Sequence, residues 1–198
     1  MLLPILPRAF YLRPPDVVAR ELLGKILVRR YEGIRLAGRI VETEAYLGLD
    51  DPAAHAFAGK TPRNAVLFGP PGFAYVYFIY GMHFCLNISC EPEGHAGCVL
   101  LRALEPIDGQ ESMAALRKLP PDTQPRLIAS GPGRLCQALG ITRQTHNGID
   151  LTSTLTGLHL EDDGFIPGRV ETSPRVGIRR APDRPLRFFI AGNRCVSK

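Results

Sequence analysis

The sequence lacks the cysteine patterns of two classes of small domain. Its five cysteines are an odd number and include no C-x-x-C pair, so neither a disulfide framework nor a four-cysteine zinc site is indicated. Internal repeats and a dividing linker are also absent. Glycine and proline make up 38 of 198 residues (20 + 18), about 19%, below the roughly 25–30% of low-complexity chains. With 45% hydrophobic residues, the chain is long enough for one domain with a sizeable core.

Neither a signal peptide nor a membrane span is indicated. Residues 1–12 are apolar, but Pro4 and Pro7 interrupt them and no basic region or small-residue cleavage site accompanies them, which predicts a mature N-terminus. Residues 65–90 carry no formal charge, and a run of that length approaches a spanning helix. Three tyrosines and Gly81 interrupt the run, so a buried hairpin is the better prediction.

Lysine is scarce, since 4 of the 24 basic residues are lysine and 20 are arginine. The arginine guanidinium suits the recognition of phosphate and carboxylate groups, and the formal net charge is +5. GC-rich coding also raises arginine at the expense of lysine. Charge alone is therefore weak evidence for a nucleic-acid partner.

Local patterns predict strands with a few short helices. One hairpin turns at Glu32-Gly33, and a second, aromatic hairpin turns at Gly81-Met82. A polar connection at 50–72 has a length typical of functional or disordered loops. Predicted strands are 25–31, 34–46, 73–80, 83–89, 98–104, 158–160, 175–178 and 186–191, and predicted helices are 17–23 after an Asp16 cap and before Gly24, 110–119 and 132–139. This order predicts an α+β domain with a curved, mainly antiparallel sheet, a protruding β-hairpin and surrounding short helices.

Two carboxylates fall on one predicted strand. Strict alternation over 39–46 places four side chains on one face: Ile40, Glu42, Glu44 and Tyr46. Two neighbouring buried carboxylates tend to raise the pKa of one of them, as general acid–base chemistry requires; the alternative is that each meets an arginine. A glycosidase acid–base pair does not fit, because residues two apart on one strand are too close and too parallel to flank a sugar.

The aromatic hairpin and a loop histidine are further candidate features. Tyr75 and Tyr77 share a face, which is typical of a core or of walls that stack on a flat ligand. Tyr80, at the turn, is harder to explain by packing. A metal-dependent hydrolase is another interpretation, although no compact spacing such as H-E-x-x-H occurs; its ligands would be His55, Glu44 and Asp50 or Asp51.

Eight segments occur in a fixed order along the chain: RIVETEAYLG (39–48), AAH (53–55), TPRN (61–64), YVYFIYGM (75–82), FCLNIS (84–89), CVLLRALEP (98–106), GPGRLCQALGI (131–141) and PRVGI (174–178). Together they resemble the alkyladenine DNA glycosylases, also called 3-methyladenine or methylpurine DNA glycosylases. The resemblance covers nearly the whole chain. Several long motifs in order are more specific than any single pattern.

The resemblance implies a monofunctional enzyme of base-excision repair, with residues 1–198 as a single DNA glycosylase domain. Such an enzyme flips a damaged purine (3-methyladenine, 7-methylguanine, hypoxanthine or 1,N6-ethenoadenine) out of duplex DNA and hydrolyses its N-glycosidic bond, leaving an abasic site. By motif, Glu44 is the implied general base that activates water. Arg102 and the backbone of Val176 are implied at the same water site, and Glu42 is a neighbour.

The resemblance also implies three groups of binding residues. The base pocket consists of Tyr46, His55, Tyr75, Tyr77 and Asn87, and Asn87 is expected to reject the exocyclic amino group of normal guanine. Tyr80 is the implied wedge that fills the gap left by the flipped nucleotide. Contacts to the DNA backbone are expected from Arg63, Gly131, Gly133 and Arg134.

No cofactor and no metal are implied, and no motif supplies a lysine nucleophile for a lyase step. The expected partner is double-stranded DNA with a damaged purine, with no membrane involved, for a protein that acts as a monomer in the cytoplasm, or in the nucleus of a eukaryote. A non-catalytic nucleic-acid-binding module is the alternative. Two departures from the family pattern, His83 in place of a tyrosine and two acidic residues in 91–97, bear on the geometry of DNA binding.

Overall fold

An antiparallel sheet of eight strands forms the centre of the fold. The computed structural model describes residues 3–197; Met1, Leu2 and Lys198, and with them part of the predicted mature N-terminus, lie outside this range. The strands are β1 (Ile26–Tyr31), β2 (Ile34–Tyr46), β3 (Ala74–Ile79), β4 (His83–Cys90), β5 (Gly97–Asp108), β6 (Leu158–Glu161), β7 (Val170–Ser173) and β8 (Arg187–Ile190). They run in the order β3-β4-β5-β2-β1-β6, while β8 pairs with both β2 and β7. This confirms the predicted α+β class.

Short helices surround the sheet. They are α1 (Arg8–Tyr11), α2 (Pro15–Leu22), α3 (Gln110–Leu116), α4 (Pro125–Ile128), α5 (Pro132–Ala138) and α6 (Arg143–His146). The prediction of an Asp16 cap is wrong, because α2 begins at Pro15 and Asp16 lies in its first turn. Proline suits that position, since the first N–H groups of a helix have no partner within the helix. The prediction that Gly24 follows the helix in a left-handed conformation is confirmed by its φ of 90°.

One face of the sheet packs against helices and forms the main core. Val18 and Leu22 of α2 and Leu135 of α5 are buried there against the sheet. A smaller cluster contains Tyr75 and Cys98, with Tyr46 and Tyr77 packed at its edge. The aromatic residues of β2 and β3 are therefore separated from the main core.

A β-bulge in β2 changes which residues share a face. Ile40 pairs with Leu104 and Glu42 pairs with Ala103, so Val41 has no partner in the ladder. Ile40 packs in the main core, whereas Val41 contacts a separate cluster with Ala103. The prediction that Ile40 shares a face with the two glutamates is wrong, because the extra residue shifts the alternation by one.

The charge-free run forms a β-hairpin, as predicted. Tyr80 and Gly81, at its tip, both have positive φ, 54° and 69°, and the Met82 N–H donates to the Ile79 carbonyl (3.3 Å). Tyr80 is 80% exposed. Within residues 3–197, no helix has the length and apolar character needed to cross a membrane.

The prediction of a strand at 175–178 is wrong. That segment is irregular, and the strand of this region is β7, at Val170–Ser173. Pro174 follows β7 directly and Gly177 has a φ of 72°, a conformation outside the strand region. The predicted connection at 50–72 is largely irregular and contains a short 3-10 helix at Ala65–Phe68.

Candidate active site

A cavity of about 650 Å³ lies beside the aromatic hairpin. All of the predicted site residues except Arg63 line it, and Arg63 lies close by, with its guanidinium carbon 6.0 Å from the centre of the Tyr77 ring. The predicted residues among those that line it are Glu44, Tyr46, His55, Tyr75, Tyr77, Tyr80, Asn87, Arg102, Gly131, Gly133, Arg134 and Val176. The fold therefore gathers them around one concave surface.

Strand pairing explains how distant residues meet. Tyr75 lies opposite Asn87, Asn87 opposite Leu100, and Leu100 opposite Glu44. These four residues form one row across β3, β4, β5 and β2. Because directly opposite residues on paired strands have neighbouring side chains, the row connects a pocket wall to the buried carboxylate.

The walls of the cavity are aromatic. The rings of His55 and Tyr77 lie 4.5 Å apart and those of Tyr75 and Tyr77 lie 5.6 Å apart, centre to centre. The Nδ1 atom of His55 is 2.9 Å from the Tyr75 hydroxyl. Burial, together with the charge of Arg63, lowers the pKa of His55, and burial raises the pKa of Tyr75 to about 12. Both side chains are therefore neutral at pH 7, which suits stacking with an aromatic ligand.

Asn87 is fixed on the pocket wall. Its side chain is 3% exposed, and its Nδ2 atom donates to the Tyr75 carbonyl (3.3 Å). Its Oδ1 atom is within 4.0 Å of the Cys98 thiol. A wall residue held in this way presents a fixed polar shape to a ligand.

Glu44 lies at the floor of the cavity, and no part of it is exposed to solvent. Its Oε1 atom accepts a hydrogen bond from the Val176 N–H (2.7 Å) and lies 3.2 Å from Nη1 of Arg102. Its Oε2 atom accepts from the Tyr46 hydroxyl (3.0 Å). A carboxylate oxygen has two acceptor positions, so Oε2 keeps one that no described residue fills.

Glu42 lies on the same face of β2 and has a closed environment. Its Oε1 atom accepts from Nε of Arg102 (2.8 Å), from Nε of Arg187 (2.7 Å) and from the Ser197 hydroxyl (2.9 Å), and its Oε2 atom accepts from the Ser197 N–H (2.7 Å). Burial alone would raise the pKa of Glu42, but Arg102 and these hydrogen bonds lower it below the usual value. The pKa of this carboxylate is thus not raised by its neighbour, and each carboxylate does meet an arginine.

Asp51, one of the candidate metal ligands, is engaged by an arginine and by backbone N–H groups. Asp51 is fully buried and accepts hydrogen bonds from both terminal nitrogens of Arg175 and from the N–H groups of Leu47 and Ala53. Among the described residues 3–197, no group of three or more His, Cys, Asp or Glu side chains is arranged to hold a metal ion.

The start of α5 forms one edge of the cavity mouth. Gly133 lies so close to His83 that a Cβ atom there would be 3.0 Å from the imidazole ring. His83 itself lines the cavity. The acidic loop at 91–97 is the other departure from the family pattern. It contributes no residue to the cavity lining.

Sequence reasoning missed three residues that hold the site together. Arg187 and Ser197 bind Glu42, and Arg175 binds Asp51. Each contact joins residues more than 100 positions apart in the chain. No local pattern could have indicated these pairs, although Arg175 lies inside the PRVGI motif.

The chain is similar to known proteins over nearly its whole length. The family model described as methylpurine-DNA glycosylase matches residues 9–194. A protein of Koribacter versatilis is 62% identical over 192 residues, covering 97% of this chain and 92% of that protein. Proteins of Burkholderia cenocepacia (51% over 194 residues; 98% and 91% covered) and Methanocella arvoryzae (49% over 199 residues; 99% and 97% covered) are also similar.

All three relatives are named "Putative 3-methyladenine DNA glycosylase". The family match extends over nearly the whole chain and includes every residue that lines the cavity. The chain therefore belongs to the methylpurine-DNA glycosylase family, a family of hydrolases that act on N-glycosyl bonds of DNA in base-excision repair.

Proposed function

We propose that this protein removes damaged purines from double-stranded DNA by hydrolysis with water that Glu44 activates. The observation that carries the proposal is the free acceptor position on Oε2 of Glu44 at the floor of an aromatic cavity. The cavity volume of about 650 Å³ is within the usual range for small-molecule sites. A flipped purine is a flat ligand that fits walls of this kind.

The proposed step forms a bond between the water oxygen and C1′ of the sugar. The bond between C1′ and the purine nitrogen breaks, and the purine leaves with the electron pair. Glu44 accepts a proton from the water and, as a carboxylate, stabilises the positive charge that develops on the sugar. Arg102 and the Val176 N–H hold Oε1, so that Oε2 stays directed at the reacting water.

The charge of the damaged base decides whether its departure needs a proton. An alkylated purine such as 3-methyladenine or 7-methylguanine is cationic and departs as a neutral base. Hypoxanthine and 1,N6-ethenoadenine are neutral and need a proton as they depart. We therefore expect faster release of the cationic bases at equal occupancy of the pocket.

Base selection is assigned to the cavity walls. Tyr46, His55 and Tyr77 stack on the flipped base, with Tyr75 beside them, because neutral aromatic rings offer π-faces to any purine. Asn87 is held by the Tyr75 carbonyl and stands against the exocyclic amino group of guanine. Normal guanine is rejected by a clash and an unpaired polar group rather than by weaker attraction.

Tyr80 is the proposed wedge that fills the gap in the duplex. It is the most exposed aromatic residue of the hairpin, at 80%, and it also lines the cavity mouth. Unstacking a base step costs a few kcal/mol, and an inserted ring restores part of the stacking. The proposed phosphate contacts around the mouth are Arg63, Gly131, Gly133 and Arg134.

Water reaches Glu44 through the position of the Tyr46 hydroxyl. Glu44 has no solvent-exposed surface, and the Tyr46 hydroxyl is the donor on its Oε2 atom. We propose that a base stacked on the Tyr46 ring shifts this hydroxyl and admits the water. The water would then bind the second acceptor position of Oε2, which no described residue fills.

The proposed product is an intact abasic site. A lyase step requires an amine nucleophile, and no lysine among residues 3–197 lines the cavity. The proposed partner is double-stranded DNA with a damaged purine, bound by a monomer. The proposed place of action is the compartment that holds the genome, the cytoplasm of a prokaryote or the nucleus of a eukaryote.

The decisive experiment compares the parent protein with Glu44→Gln in single-turnover reactions containing EDTA. Otherwise identical duplexes carry 3-methyladenine, hypoxanthine or 1,N6-ethenoadenine, and released base and strand breaks are measured before and after alkali. We expect base release by the parent, loss of release in the variant, and breaks only after alkali. Tight binding of damaged DNA without release of any base would establish the binding-module alternative, and loss of turnover in EDTA would establish a metal-dependent hydrolase.

Binding is tested separately with Tyr80→Ala and a duplex that contains a pyrrolidine abasic analogue. We expect weaker affinity, with a smaller effect on the hydrolytic step, because the wedge acts on the flipped state. Affinity of the parent should also fall steeply with salt, because phosphate contacts release counterions. Equal affinity of variant and parent would remove the wedge role from Tyr80.

A further inference from the structure

We propose that the buried pair of Asp51 and Arg175 positions the carboxylate of Glu44 for reaction. The inference rests on the proposed role of Glu44. Neither Asp51 nor Arg175 lines the cavity, so they act through the residues that they hold. They are positioning residues rather than catalytic ones.

Asp51 anchors the pair at the start of the loop that carries His55. The carboxylate is fully buried and binds both terminal nitrogens of Arg175, with Oδ1 at 2.9 Å from Nη2. It also accepts from the N–H groups of Leu47 (3.2 Å) and Ala53 (3.1 Å). Two parallel bonds from a guanidinium fix orientation as well as distance.

Arg175 connects this anchor to both ends of the Glu44 carboxylate. Its guanidinium carbon lies 4.6 Å from the centre of the Tyr46 ring, and the Tyr46 hydroxyl donates to Oε2 of Glu44. The next residue, Val176, donates its N–H to Oε1 of Glu44. Nη1 of Arg175 also donates to the Ala45 carbonyl (3.0 Å), on the strand that carries Glu44.

Two of the three donors to Glu44 are therefore held by Arg175. The third donor, Arg102, is held from the opposite side by Glu42. A buried ion pair contributes little net stability compared with apolar packing of the same volume. Its distinctive effect is a fixed geometry, and a displacement of about 1 Å in a reacting group costs about 100-fold in rate.

The test uses Asp51→Asn and Arg175→Lys, each alone and combined with Glu44→Gln. The variant Arg175→Lys keeps the positive charge but loses the two-pronged geometry. We expect each single variant to lower the single-turnover release of hypoxanthine by about 10- to 100-fold, while affinity for the pyrrolidine analogue duplex stays within about 3-fold. The fluorescence change of 1,N6-ethenoadenine on binding should persist, because the base still enters the pocket.

The combined variants separate positioning from general damage. If the pair acts through Glu44, adding either change to Glu44→Gln lowers the residual rate no further. Further loss in that background, with equal loss of affinity for the analogue, would overturn the proposal. Rates within about 3-fold of the parent in folded single variants would overturn it as well, since a misplaced carboxylate costs more than that.

A matched control exists on the same strand as Glu44. Arg39 binds Asp163 through two bonds of 3.1 and 2.8 Å, and neither residue lines the cavity. Asp163→Asn should leave the rate within about 2-fold of the parent, because a partly exposed pair has little effect at a distance. If Asp51→Asn does not fold, Arg175→Lys carries the test. Full activity of Glu44→Gln would defeat the proposed function itself, whatever the Asp51 variant does.

Discussion

The surroundings of Glu42 and Glu44 differ more than their positions do. Both lie on β2 two residues apart, both point to the same side, and neither is exposed to solvent. Glu42 is enclosed by Arg102, Arg187 and Ser197, which together donate four hydrogen bonds. Glu44 has the cavity on one side and a single donor on its Oε2 atom.

The comparison shows that the surroundings of a buried carboxylate decide its role. A network of donors makes it structural, and an adjacent cavity makes it available for reaction. Four hydrogen bonds, two of them from arginines, hold the Glu42 carboxylate, and Glu42 does not line the cavity. Glu44 is equally buried but lines the cavity, so that the remaining acceptor position of its Oε2 atom lies beside a space that a ligand can enter. Arg102 contacts both residues, so the structural carboxylate supports the proposed reactive one.

The largest expected effect is on the rate of base release. Glu44→Gln should lower the single-turnover rate by about 1,000-fold, since removal of a general base costs about 100- to 10,000-fold. Glu42→Gln should lower it by only about 10-fold, through displacement of Arg102. The rates are measured with one hypoxanthine duplex and with active protein counted by titration against the abasic analogue. Equal rate losses in the two variants would erase the distinction between the two sites.

The second largest effect is expected on stability, where Glu42→Gln should cost more than Glu44→Gln. Glu42→Gln places an amide NH₂ among donors and removes the anion that Arg187 pairs with. It leaves Arg102 with the 3.2 Å contact to Glu44 as its remaining ion pair. Breaking a buried pair in this way costs about 3 kcal/mol, or about 6–12 °C in the thermal midpoint for a chain of this size. Glu44→Gln should change the midpoint far less, because Arg102 keeps Glu42 as its partner. Thermal unfolding followed by circular dichroism measures both midpoints.

Ser197→Ala is the control for this comparison. It removes the hydroxyl donor to Glu42 and keeps the backbone donor. The variant should lower the free energy of unfolding by about 1.5–3 kcal/mol, the usual range for a hydrogen bond to a charged group. A midpoint that fell more in Glu44→Gln than in Glu42→Gln would contradict the structural role of Glu42.

A smaller effect is expected on the pH dependence of stability. The pKa of Glu42 is lower in the folded protein than its usual value, so the folded state binds its proton more weakly than the unfolded chain does. Its stabilising contribution is therefore complete above the ordinary glutamate pKa of about 4.3 and is lost as pH falls through the folded value. The difference in free energy of unfolding between the parent and Glu42→Gln should be constant from pH 7 to 5 and shrink below pH 4. Urea titrations at each pH measure it, and a difference that grew in acid would have the wrong sign.

The smallest effect is expected for Tyr46→Phe. This change keeps the ring over Arg175 and removes only the hydroxyl donor to Glu44. Because Val176 and Arg102 still hold Oε1 and the attacking water is proposed to use the other acceptor position of Oε2, the single-turnover rate should change by less than about 3-fold. Tyr46→Ala, which also removes the stacking surface, is the matched comparison and should be slower. A loss in Tyr46→Phe as large as in Glu44→Gln would give the hydroxyl a role in the reaction itself.

The sequence predicted much of the fold because its hairpins are local. The turns at Glu32-Gly33 and at the aromatic tip join adjacent strands, and alternation within each strand follows the two-residue period. It failed where one residue changes the count, as at the Val41 bulge, and where a proline ends a strand, as at Pro174. The bulge leaves no mark in the local composition, whereas Pro174 is visible, but which side of it forms a strand depends on which segment pairs with β8.

The candidate site was predicted from motifs rather than from geometry. Glu44, Arg102 and the tyrosines belong to long segments with fixed order, whereas their supporting residues are single side chains far away. Ser197 and Arg187 reach Glu42 across more than 140 residues of sequence. Such contacts depend on sheet topology and on where the segment after β8 returns, which periodicity does not report.

The positive φ of Tyr80 sets the stability of the hairpin tip against the proposed role of this residue as a wedge. A bulky residue in this conformation costs about 1–2 kcal/mol relative to glycine, and its ring gains almost nothing from packing, since it is 80% exposed. A library of variants selected only for heat resistance would therefore accumulate glycine or asparagine at this position. The proposed wedge role predicts that its survivors would be more stable but would bind a duplex with a flipped nucleotide more weakly.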